Sequence, residues 1–579
     1  MPDLKVEFDA PATMCDGVVL RANIFRPGDD GAYPALVVRT SYGKNFATAS
    51  PNLDAVRLAR AGYIVVIQDV RGRFASDGDF SYMQAEAQDG YDTVEWASQL
   101  PGCTGSVGMA GQSYLGYAQW AAAALQPPHL KAIMPSVIGD DPRNGRFWRG
   151  GALELGSRTQ WVLNSLALDQ INRRYAGKPV AEKQQAVETL AAEIDRMRAQ
   201  GYWSLPLHDF APFKKLGLGL EMFTGALEDA NYAALSARAA YGKILVPAYN
   251  IGGWYDIGLQ GTLNNFSALR LAGSTAEARH GKVIIGPWSH VGLTNVVGDM
   301  DFGFRSAMGF IDLRTDMTGL IQRWFDYWLK GIDNGTAQES PVKIFVMGAN
   351  VWRDEQEWPL ARARYTPFYL HSAGKANSLH GGGALATAMP LSEAADHYVY
   401  DPQHPTPTWG GALLMPSLFG PGVKDQRPIE ERHDVLVYTS APLERDMEVT
   451  GPVTVTLWAA SDAPDTDFVA RLVDVHPDGF AQNLTDGIIR ARYRNGETPE
   501  LLQPNRPYEF TIDLWSTANV FRQGHRIRLD VTSANFPRWD RNPNTGHPFG
   551  ADAETRPARQ TILHDREHAS HVLLPVIPD

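Results

Sequence analysis

The sequence has few cysteines, no long apolar run and no excess of basic residues. Only two of its 579 residues are cysteine, Cys15 and Cys103. At most one disulfide can form, which excludes a small disulfide-rich scaffold. No apolar run approaches the ~20 residues that a transmembrane helix needs. The formal net charge is -12, so the surface repels phosphate, and we expect neither a nucleic-acid partner nor an anionic membrane.

A secretion signal is also missing from the sequence as it stands. Residues 1–5 contain no basic segment followed by an apolar one, which is what a signal peptide requires. We therefore expect a cytoplasmic protein. Association with a second copy of the chain is left open.

The composition is that of a folded protein, with 44% apolar and 20% charged residues. At roughly 100–200 residues per domain, the length predicts about three domains. In the first part, the runs 18–25, 35–38 and 63–67 are rich in β-branched and aromatic residues and alternate with helical patterns. This alternation predicts a mostly parallel, doubly wound α/β sheet.

The pattern changes twice further along the chain. Strand signals fade between residues 140 and 241, where 180–198 has apolar residues at helical spacing, and strands resume at 244–250 and 283–285. A long helix is predicted over 312–330. After residue 351, apolar and polar residues alternate in many short segments, which is typical of a β-sandwich or jelly roll. We predict core segments 1–143 and 242–351, a helical insertion 144–241 and a β domain 352–579.

A candidate nucleophile follows a short predicted strand at 107–110. The residues Gly-Gln-Ser-Tyr-Leu-Gly occupy 111–116, and an alanine-rich helix comes next. In α/β-hydrolases the nucleophilic serine lies on a tight turn between a strand and a helix. Ser113 is in the corresponding position here. Leu115 stands where the usual Gly-x-Ser-x-Gly pattern has its second glycine. The alternative is that Ser113 only caps a helix.

The acid and base of such a site follow in the order serine, aspartate, histidine. Asp256 comes after the predicted strand 244–250, and His290 comes after 283–285. Active-site groups of open α/β sheets lie in loops at the carboxyl ends of strands. We therefore predict Ser113, Asp256 and His290 as a catalytic triad. The alternatives are a helix cap for the aspartate and an ordinary loop histidine.

Five collinear motifs carry a resemblance over nearly the whole chain. They lie at 69–78 (Asp-Val-Arg-Gly-Arg-Phe-Ala-Ser-Asp-Gly), 111–116, 253–256 (Gly-Trp-Tyr-Asp), 286–290 (Gly-Pro-Trp-Ser-His) and 535–542 (Asn-Phe-Pro-Arg-Trp-Asp-Arg-Asn). The sequence resembles the cocaine esterase (CocE/NonD) family, whose relatives include α-amino-acid ester hydrolases, glutaryl-cephalosporin acylases and X-Pro dipeptidyl-peptidases. That family's turn carries its second glycine three places after the serine, as Gly116 does. The resemblance implies an α/β-hydrolase core, a helical cap and a C-terminal β jelly roll.

An oxyanion hole requires two hydrogen-bond donors. The backbone N–H of Tyr114, the residue after the nucleophile, is one by geometry. The resemblance implies that the other is a tyrosine hydroxyl after an early strand, which is Tyr42 here. The alternative for Tyr42 is a packed turn aromatic. No cofactor is expected.

Aromatic residues of the predicted cap and of the loop beside the acid are candidates for substrate binding. They are Phe147, Trp148, Trp161 and Trp254. Rigid aromatic rings suit an apolar or aromatic acyl group, and the resemblance to the family's benzoyl pocket favours Trp148 and Trp161. The alternative is that these rings only pack the cap.

A carboxylate cluster would instead favour an α-amino substrate, and Asp140 and Asp141 could supply part of one. The amino-ester relatives also carry acidic residues directly after the triad aspartate, whereas here Ile257, Gly258 and Leu259 follow. We therefore expect a serine carboxylesterase that hydrolyses small-molecule esters with an uncharged, apolar or aromatic acyl group through an acyl-enzyme on Ser113. Amide hydrolysis, α-amino-acid ester hydrolysis and dipeptidyl-peptidase activity are the alternatives.

Three further features have interpretations other than a part in catalysis. Asp69, Arg71 and Arg73 are predicted to form a structural network that braces the site. The residues 564–568 fit the His-x-x-Glu-His pattern of a metallopeptidase class, but flanking β patterns argue against the helix that this chemistry needs, and no metal is predicted. A jelly roll used only to bind carbohydrate is the non-enzymatic alternative.

Overall fold

The first part of the chain alternates strands and helices, as predicted. The computed structural model describes residues 3–47, 53–197, 200–224, 234–290, 292, 294–415 and 417–578. The first strands are β1 (Leu4–Thr13), β2 (Val19–Pro27), β3 (Tyr33–Thr40), β4 (Ile64–Asp69), β5 (Cys103–Gln112) and β6 (Leu130–Ser136). The helices among them are α1 (Lys44–Ala47), α2 (Ala55–Arg60), α3 (Glu86–Ser98) and α4 (Tyr114–Ala124).

The insertion that follows is largely helical. It opens with a short hairpin of β7 (Trp148–Arg149) and β8 (Ala152–Leu153). Its helices are α5 (Leu155–Trp161), α6 (Ala167–Arg174), α7 (Val180–Met197), α8 (Ala211–Leu216) and α9 (Glu221–Thr224). Buried apolar residues of this cap belong to the same hydrophobic cluster as those of the first strands, so the cap packs directly on the core.

The α/β part then resumes and completes one large sheet. Its strands are β9 (Tyr249–Tyr255), β10 (Lys282–Ser289), the small pair β11 (Val296–Val297) and β12 (Met300–Asp301), β13 (Val342–Val346) and β14 (Val351–Glu355), with helices α10 (Leu259–Ala272), α11 (Ala276–Arg279) and α12 (Met317–Lys330). The main sheet has the order β1-β2-β4-β3-β5-β6-β9-β10-β13-β14. Pairing is parallel from β4 through β13, so the loops after β5, β9 and β10 emerge at one edge.

Two predicted strands have different bounds in the structure. The expected strand 244–250 is wrong, because β9 begins at Tyr249 and includes the glycines that suggested a loop. These glycines permit a close approach of β9 to β10, since a Cβ on Gly253 would lie 2.2 Å from the carbonyl oxygen of Trp288. β10 likewise runs on to Ser289. Asp256 and His290 therefore follow their strands directly.

The long helix α12 is shorter than the predicted 312–330. It begins after Asp316, whose carboxylate accepts a hydrogen bond from the N–H of Gly319 at 2.7 Å, an N-cap that satisfies an otherwise unpaired donor. It ends at Gly331, in the left-handed conformation with φ of 68°. The predicted domain limit at 351 coincides with the first residue of β14, which pairs with β13 in the first sheet. The domain division itself stays a prediction.

The remainder is a mainly antiparallel β domain. Its strands are β15 (Arg364–His371), β16 (Gly383–Ala386), β17 (Asp396–Tyr400), β18 (Leu436–Ser440), β19 (Met447–Ser461), β20 (Asp467–Val475), β21 (Ala481–Arg490), β22 (Tyr508–Phe521), β23 (Arg526–Thr532), β24 (Ala558–Leu563) and β25 (His571–Val576), with one short helix, α13 (Arg427–Glu430). The alternating apolar residues of β19 and β22 are buried in its core. The predicted fold class is confirmed. Within the described ranges, no helix is both long and apolar enough to cross a bilayer.

The motif at 535–542 joins the β domain to the cap hairpin. The buried Arg538 guanidinium donates to Asp486 at 2.7 Å, and the indole N–H of Trp539 donates to Glu154 at 2.7 Å. The N–H of Leu153 donates to Asp540 at 2.6 Å. Burial acts to raise the pKa of Asp486, but the neighbouring arginines outweigh it and hold the pKa below its usual range.

Replacing Arg538 with leucine is expected to lower the free energy of unfolding by about 3–5 kcal/mol, because it leaves buried carboxylates with one cation fewer. Urea titration followed by tryptophan fluorescence measures the change. The control is Arg522→Leu, which removes an exposed pair with Asp446 and should cost less than about 1 kcal/mol. Equal effects of the two substitutions would contradict the assigned role of Arg538.

Candidate active site

Ser113 lies on a sharp turn between β5 and α4. Its φ and ψ are 57° and -120°, a region that non-glycine residues enter only under strain. The turn is held by a hydrogen bond of 2.8 Å from the N–H of Ser113 to the carbonyl oxygen of Ser136. Ser113 is half-buried, so its hydroxyl lies at the edge of the sheet and borders a cavity.

Two glycines make room for this turn. Gly111 has φ of 139°, and a Cβ there would lie 2.5 Å from the Cβ of Leu115. A Cβ on Gly116 would lie 3.0 Å from Ile138 and 3.1 Å from the carbonyl oxygen of Ser136. The close packing against β6 therefore falls on the third residue after the serine, which is the physical reason that position 115 tolerates leucine.

The three predicted triad residues form one hydrogen-bonded row. His290 Nε2 lies 3.0 Å from Ser113 Oγ, and His290 Nδ1 lies 2.8 Å from Asp256 Oδ2. The other oxygen of Asp256 accepts the N–H of Gly258 at 2.5 Å. Asp256 is fully buried and His290 is 6% exposed. A buried carboxylate that accepts Nδ1–H leaves the Nε2 lone pair directed at the serine, so the hydroxyl proton can pass to the imidazole.

The two predicted oxyanion donors lie beside Ser113. Tyr42 follows β3 and lines the same cavity as the serine, and its ring packs edge-on against Tyr114 at 6.3 Å. Tyr114 is the first residue of α4, where backbone N–H groups have no partner within the helix. Both residues therefore border the cavity at Ser113, and their role as oxyanion donors stays a prediction.

The Tyr114 side chain belongs to a buried charged network that no sequence pattern indicated. The Tyr114 hydroxyl donates to Glu86 at 2.8 Å, and Glu86 pairs with Arg39 at 2.6 Å. Burial raises the pKa of Glu86 even though Arg39 opposes the shift, and burial also raises the pKa of Tyr114 well above its usual value. The three residues lie far apart in the chain, so no spacing signal reveals them.

A cavity that we call the aromatic pocket opens at Ser113, with about 530 Å³ of free space that includes its open mouth. The core, the cap and the β domain all contribute side chains to it. Beside the triad serine and histidine, its lining includes Met83, Phe147, Arg158, Trp161, Ile257 and Leu414. The Arg158 guanidinium stacks 4.1 Å from the centre of the Phe147 ring. Phe147 and Trp161 were predicted from the sequence as pocket residues, whereas the other four were not.

The other two predicted tryptophans lie elsewhere, and the expectation that they line this pocket is not met. Trp148 is fully buried in β7 and packs edge-on against Phe549 at 4.7 Å. Trp254 belongs to β9, and its indole N–H donates to the carbonyl of Phe345 at 2.6 Å. Trp254 is excluded from the pocket because β9 ends at Tyr255, later than predicted, so this residue belongs to a buried strand and not to a loop.

The carboxylates of Asp140 and Asp141 contact arginines. Asp140 accepts from Arg238 at 2.7 Å, and Asp141 accepts from Arg143 at 3.1 Å. Burial raises the pKa of Asp140. Burial also acts to raise the pKa of Asp141, but hydrogen bonds from Arg143 outweigh it and lower the pKa. Neither residue borders the aromatic pocket.

Asp69, Arg71 and Arg73 pair with other residues and not with one another, and their predicted role as a brace stays a prediction. Asp69 pairs with Lys44 at 3.0 Å, and Arg71 pairs with Asp89 at 2.6 Å. The Arg73 guanidinium donates to the carbonyls of Ser41 and Leu166. These contacts tie the loop that carries Tyr42 to the cap.

The residues of the metallopeptidase-like pattern lie in turns between β24 and β25. His564 is buried and lies 2.9 Å from Asp396, whereas His568 contacts Asp565 on the same turn. Residues 564–568 do not form the helix that a metallopeptidase of this class needs to place both histidines on one face.

The comparisons with known proteins agree with this geometry. A model of the X-Pro dipeptidyl-peptidase (S15 family) matches residues 16–292, and a model of the X-Pro dipeptidyl-peptidase C-terminal non-catalytic domain matches residues 334–573. Cocaine esterase of Rhodococcus sp. (strain MB1 Bresler) is 38% identical over 575 residues, which cover 97% of each chain.

Two solved structures show the same fold. An α-amino acid ester hydrolase aligns with a TM-score of 0.78 and 23% identity, over 99% of this chain and 97% of that one. A CocE/NonD family hydrolase from Staphylococcus aureus aligns with a TM-score of 0.67 and 19% identity, over 99% and 94%. Together with the full-length match to cocaine esterase, these findings mean that the chain belongs to the CocE/NonD family of serine hydrolases, which is related to the X-Pro dipeptidyl-peptidases and to α-amino acid ester hydrolase.

Proposed function

We propose that this serine hydrolase is a carboxylesterase that acts on esters of apolar or aromatic acids through an acyl-enzyme on Ser113. The observation that carries the proposal is the hydrogen-bonded row of Ser113, His290 and Asp256 at the mouth of a largely apolar pocket. Such a row activates a hydroxyl that is otherwise a weak nucleophile at neutral pH.

In the proposed cycle, Ser113 Oγ attacks the ester carbonyl while His290 accepts its proton. Asp256 stabilises the imidazolium, which then protonates the leaving alcohol. The Tyr42 hydroxyl and the Tyr114 N–H stabilise the negative charge that forms on the carbonyl oxygen. Water attacks the acyl-enzyme by the same route and releases the acid.

The mostly apolar lining of the aromatic pocket supports an apolar acyl group, and the guanidinium of Arg158 in that lining stacks on the Phe147 ring. Phe147 and Trp161 supply rigid apolar surface. An α-amino substrate would need a carboxylate for its ammonium, and Asp140 and Asp141 are already paired with arginines outside the pocket. Activities that require an ammonium, including that of an X-Pro dipeptidyl-peptidase, therefore have less support.

The proposal is tested by measuring kcat/KM for p-nitrophenyl benzoate and butyrate, for phenylglycine methyl ester and for glycyl-proline p-nitroanilide. We expect the first two to be hydrolysed at least about 100-fold more efficiently, because no aspartate or glutamate that could pair with an ammonium is among the described residues lining the aromatic pocket. A preference for either amino substrate would refute the proposed specificity.

Replacing Trp161 with alanine is expected to lower kcat/KM for benzoyl esters about 10- to 100-fold relative to acetyl esters, since it removes apolar contact with the acyl ring. The ratio of the two kcat/KM values is the measurement. Trp203→Ala is the control, because Trp203 is an exposed cap residue outside the pocket and should leave the ratio unchanged. An unaltered ratio in the Trp161 variant would contradict its assigned contact.

Replacing Tyr42 with phenylalanine is expected to lower kcat by about 10²–10³-fold with little change in KM, because the hydroxyl acts mainly on the transition state. Steady-state kinetics with p-nitrophenyl butyrate separate the two constants. Tyr369→Phe in β15 is the control. A change confined to KM would show that Tyr42 only contacts the bound ester.

A further inference from the structure

We propose that a second apolar cavity at Ser113 binds the alcohol portion of the ester and that this portion is a flexible aliphatic group. The assignment rests on the proposed function and extends it to the leaving group. The cavity, which we call the methionine pocket, is lined by Leu115, Met134, Met308, Met317 and Ile321, among others. No part of the proposed mechanism has yet used it.

None of the described residues that line the methionine pocket belongs to the cap. It is bounded by the carboxyl ends of β3, β5 and β6 and by the start of α12. Its three methionines, Met134, Met308 and Met317, are each at most 4% exposed. Its free space is about 970 Å³, against about 530 Å³ for the aromatic pocket, open mouths included. The methionine pocket is therefore the roomier of the two.

The chemistry of the lining favours an uncharged occupant. Tyr42 is the one titratable side chain among the described residues that border this pocket, and no aspartate, glutamate, lysine, arginine or histidine is among them. A charged leaving group would lose its hydration there without gaining a partner. Methionine side chains are flexible and polarisable, so they adapt to chains of varying shape.

The position of the catalytic serine decides which half of the ester enters. The two pockets share only Tyr42, Ser113 and Val137 among their described lining residues. A carbonyl carbon bound at Ser113 carries an acyl group and an alkoxy group, and these diverge from it in different directions. If the rigid aromatic pocket receives the acyl group, the alkoxy chain is directed into the methionine pocket.

The general acid can still reach the leaving group in this arrangement. Ser113 Oγ lies 3.0 Å from His290 Nε2; Ser113 borders both pockets, and His290 lines the aromatic pocket. The leaving oxygen is bonded to the carbonyl carbon, so it stays near the imidazole while its alkyl chain extends away from it. Proton transfer to the alcohol therefore does not require the chain to share the aromatic pocket.

The experiment compares methyl, butyl and hexyl benzoate, which differ only in the alcohol. We expect kcat/KM to rise at least about tenfold from methyl to hexyl, since each buried methylene contributes favourable transfer free energy. In Met317→Trp, which fills the pocket, the hexyl-to-methyl ratio should fall to about two or less. Gln322→Trp is the matched control, because it adds the same ring to α12 outside both pockets and should retain the wild-type ratio.

A reversed series, from methyl acetate to methyl heptanoate, identifies the half of the ester that is bound. If Met317→Trp removes a chain-length gain in this acyl series instead, the pocket binds the acyl group and the assignment is wrong. A flat benzoate series with normal hydrolysis also overturns it and leaves the proposed function intact. Failure of the wild-type protein to hydrolyse any of these esters, despite labelling of Ser113 by a fluorophosphonate, would overturn both.

Discussion

Replacing Ser113 with alanine is expected to lower kcat for p-nitrophenyl butyrate by about 10⁴–10⁶-fold. The substitution removes the only atom of the row that can bond to the acyl carbon, Oγ, which lies 3.0 Å from His290 Nε2. The strained backbone at φ of 57° should persist, because it is held by contacts of its neighbours. Initial rates give the loss, and a fluorophosphonate label should disappear with it.

A matched control comes from the same strand. Ser106→Ala removes another β5 hydroxyl, one outside both pockets, and should retain wild-type activity and labelling. Unfolding midpoints of the two variants should agree within a few degrees, which separates loss of chemistry from loss of fold. Retention of more than about one per cent of wild-type activity by Ser113→Ala would rule out the acyl-enzyme mechanism.

Replacing Asp256 with asparagine is expected to lower kcat by about 10⁴-fold while KM changes little. The carboxylate accepts Nδ1–H of His290 at 2.8 Å and so leaves Nε2 free to take the serine proton. An amide can instead donate to Nδ1, which favours the tautomer with its proton on Nε2. The same p-nitrophenyl butyrate assay measures kcat and KM, and the fluorophosphonate reaction should slow in parallel.

Asp209→Asn tests whether loss of any aspartate charge has this effect. Asp209 pairs with Lys214 on the cap surface and borders neither pocket at Ser113, so its variant should keep full activity. If Asp256→Asn loses less than about tenfold, the carboxylate is not what orients His290, and the proposed division of roles within the row fails.

The order of the triad candidates was predictable because it depends on local patterns. A short apolar strand, a serine between small residues and an alanine-rich helix are all contiguous in the chain, and the structure has them as β5, Ser113 and α4. Asp256 and His290 were found by the same logic, although the strand bounds before the aspartate were wrong. The error did not move the aspartate, because β9 extends to Tyr255, five residues beyond the predicted end, and Asp256 still follows the strand at the same edge of the sheet.

The substrate side of the site was less predictable. Phe147 and Trp161 line the aromatic pocket, whereas Trp148, adjacent to Phe147 in the chain, is buried against Phe549. The amino-acid composition of the cap does not distinguish a ring that lines the pocket from a ring that is buried elsewhere. Which ring faces the cavity depends on the short hairpin of β7 and β8 and on its contact with the β domain, so neighbouring aromatics have different roles.

The sequence by itself determined the family, the alternation that builds the sheet, and the chain positions of the serine, the aspartate and the histidine. These follow from residue types at fixed local spacing, which depends little on distant contacts. Only the tertiary structure decided the pairing of Glu86 with Arg39 below Tyr114 and the presence of two apolar pockets that meet at Ser113. Those features depend on distances between side chains from separate strands, helices and domains, and such distances are set by packing rather than by position along the chain.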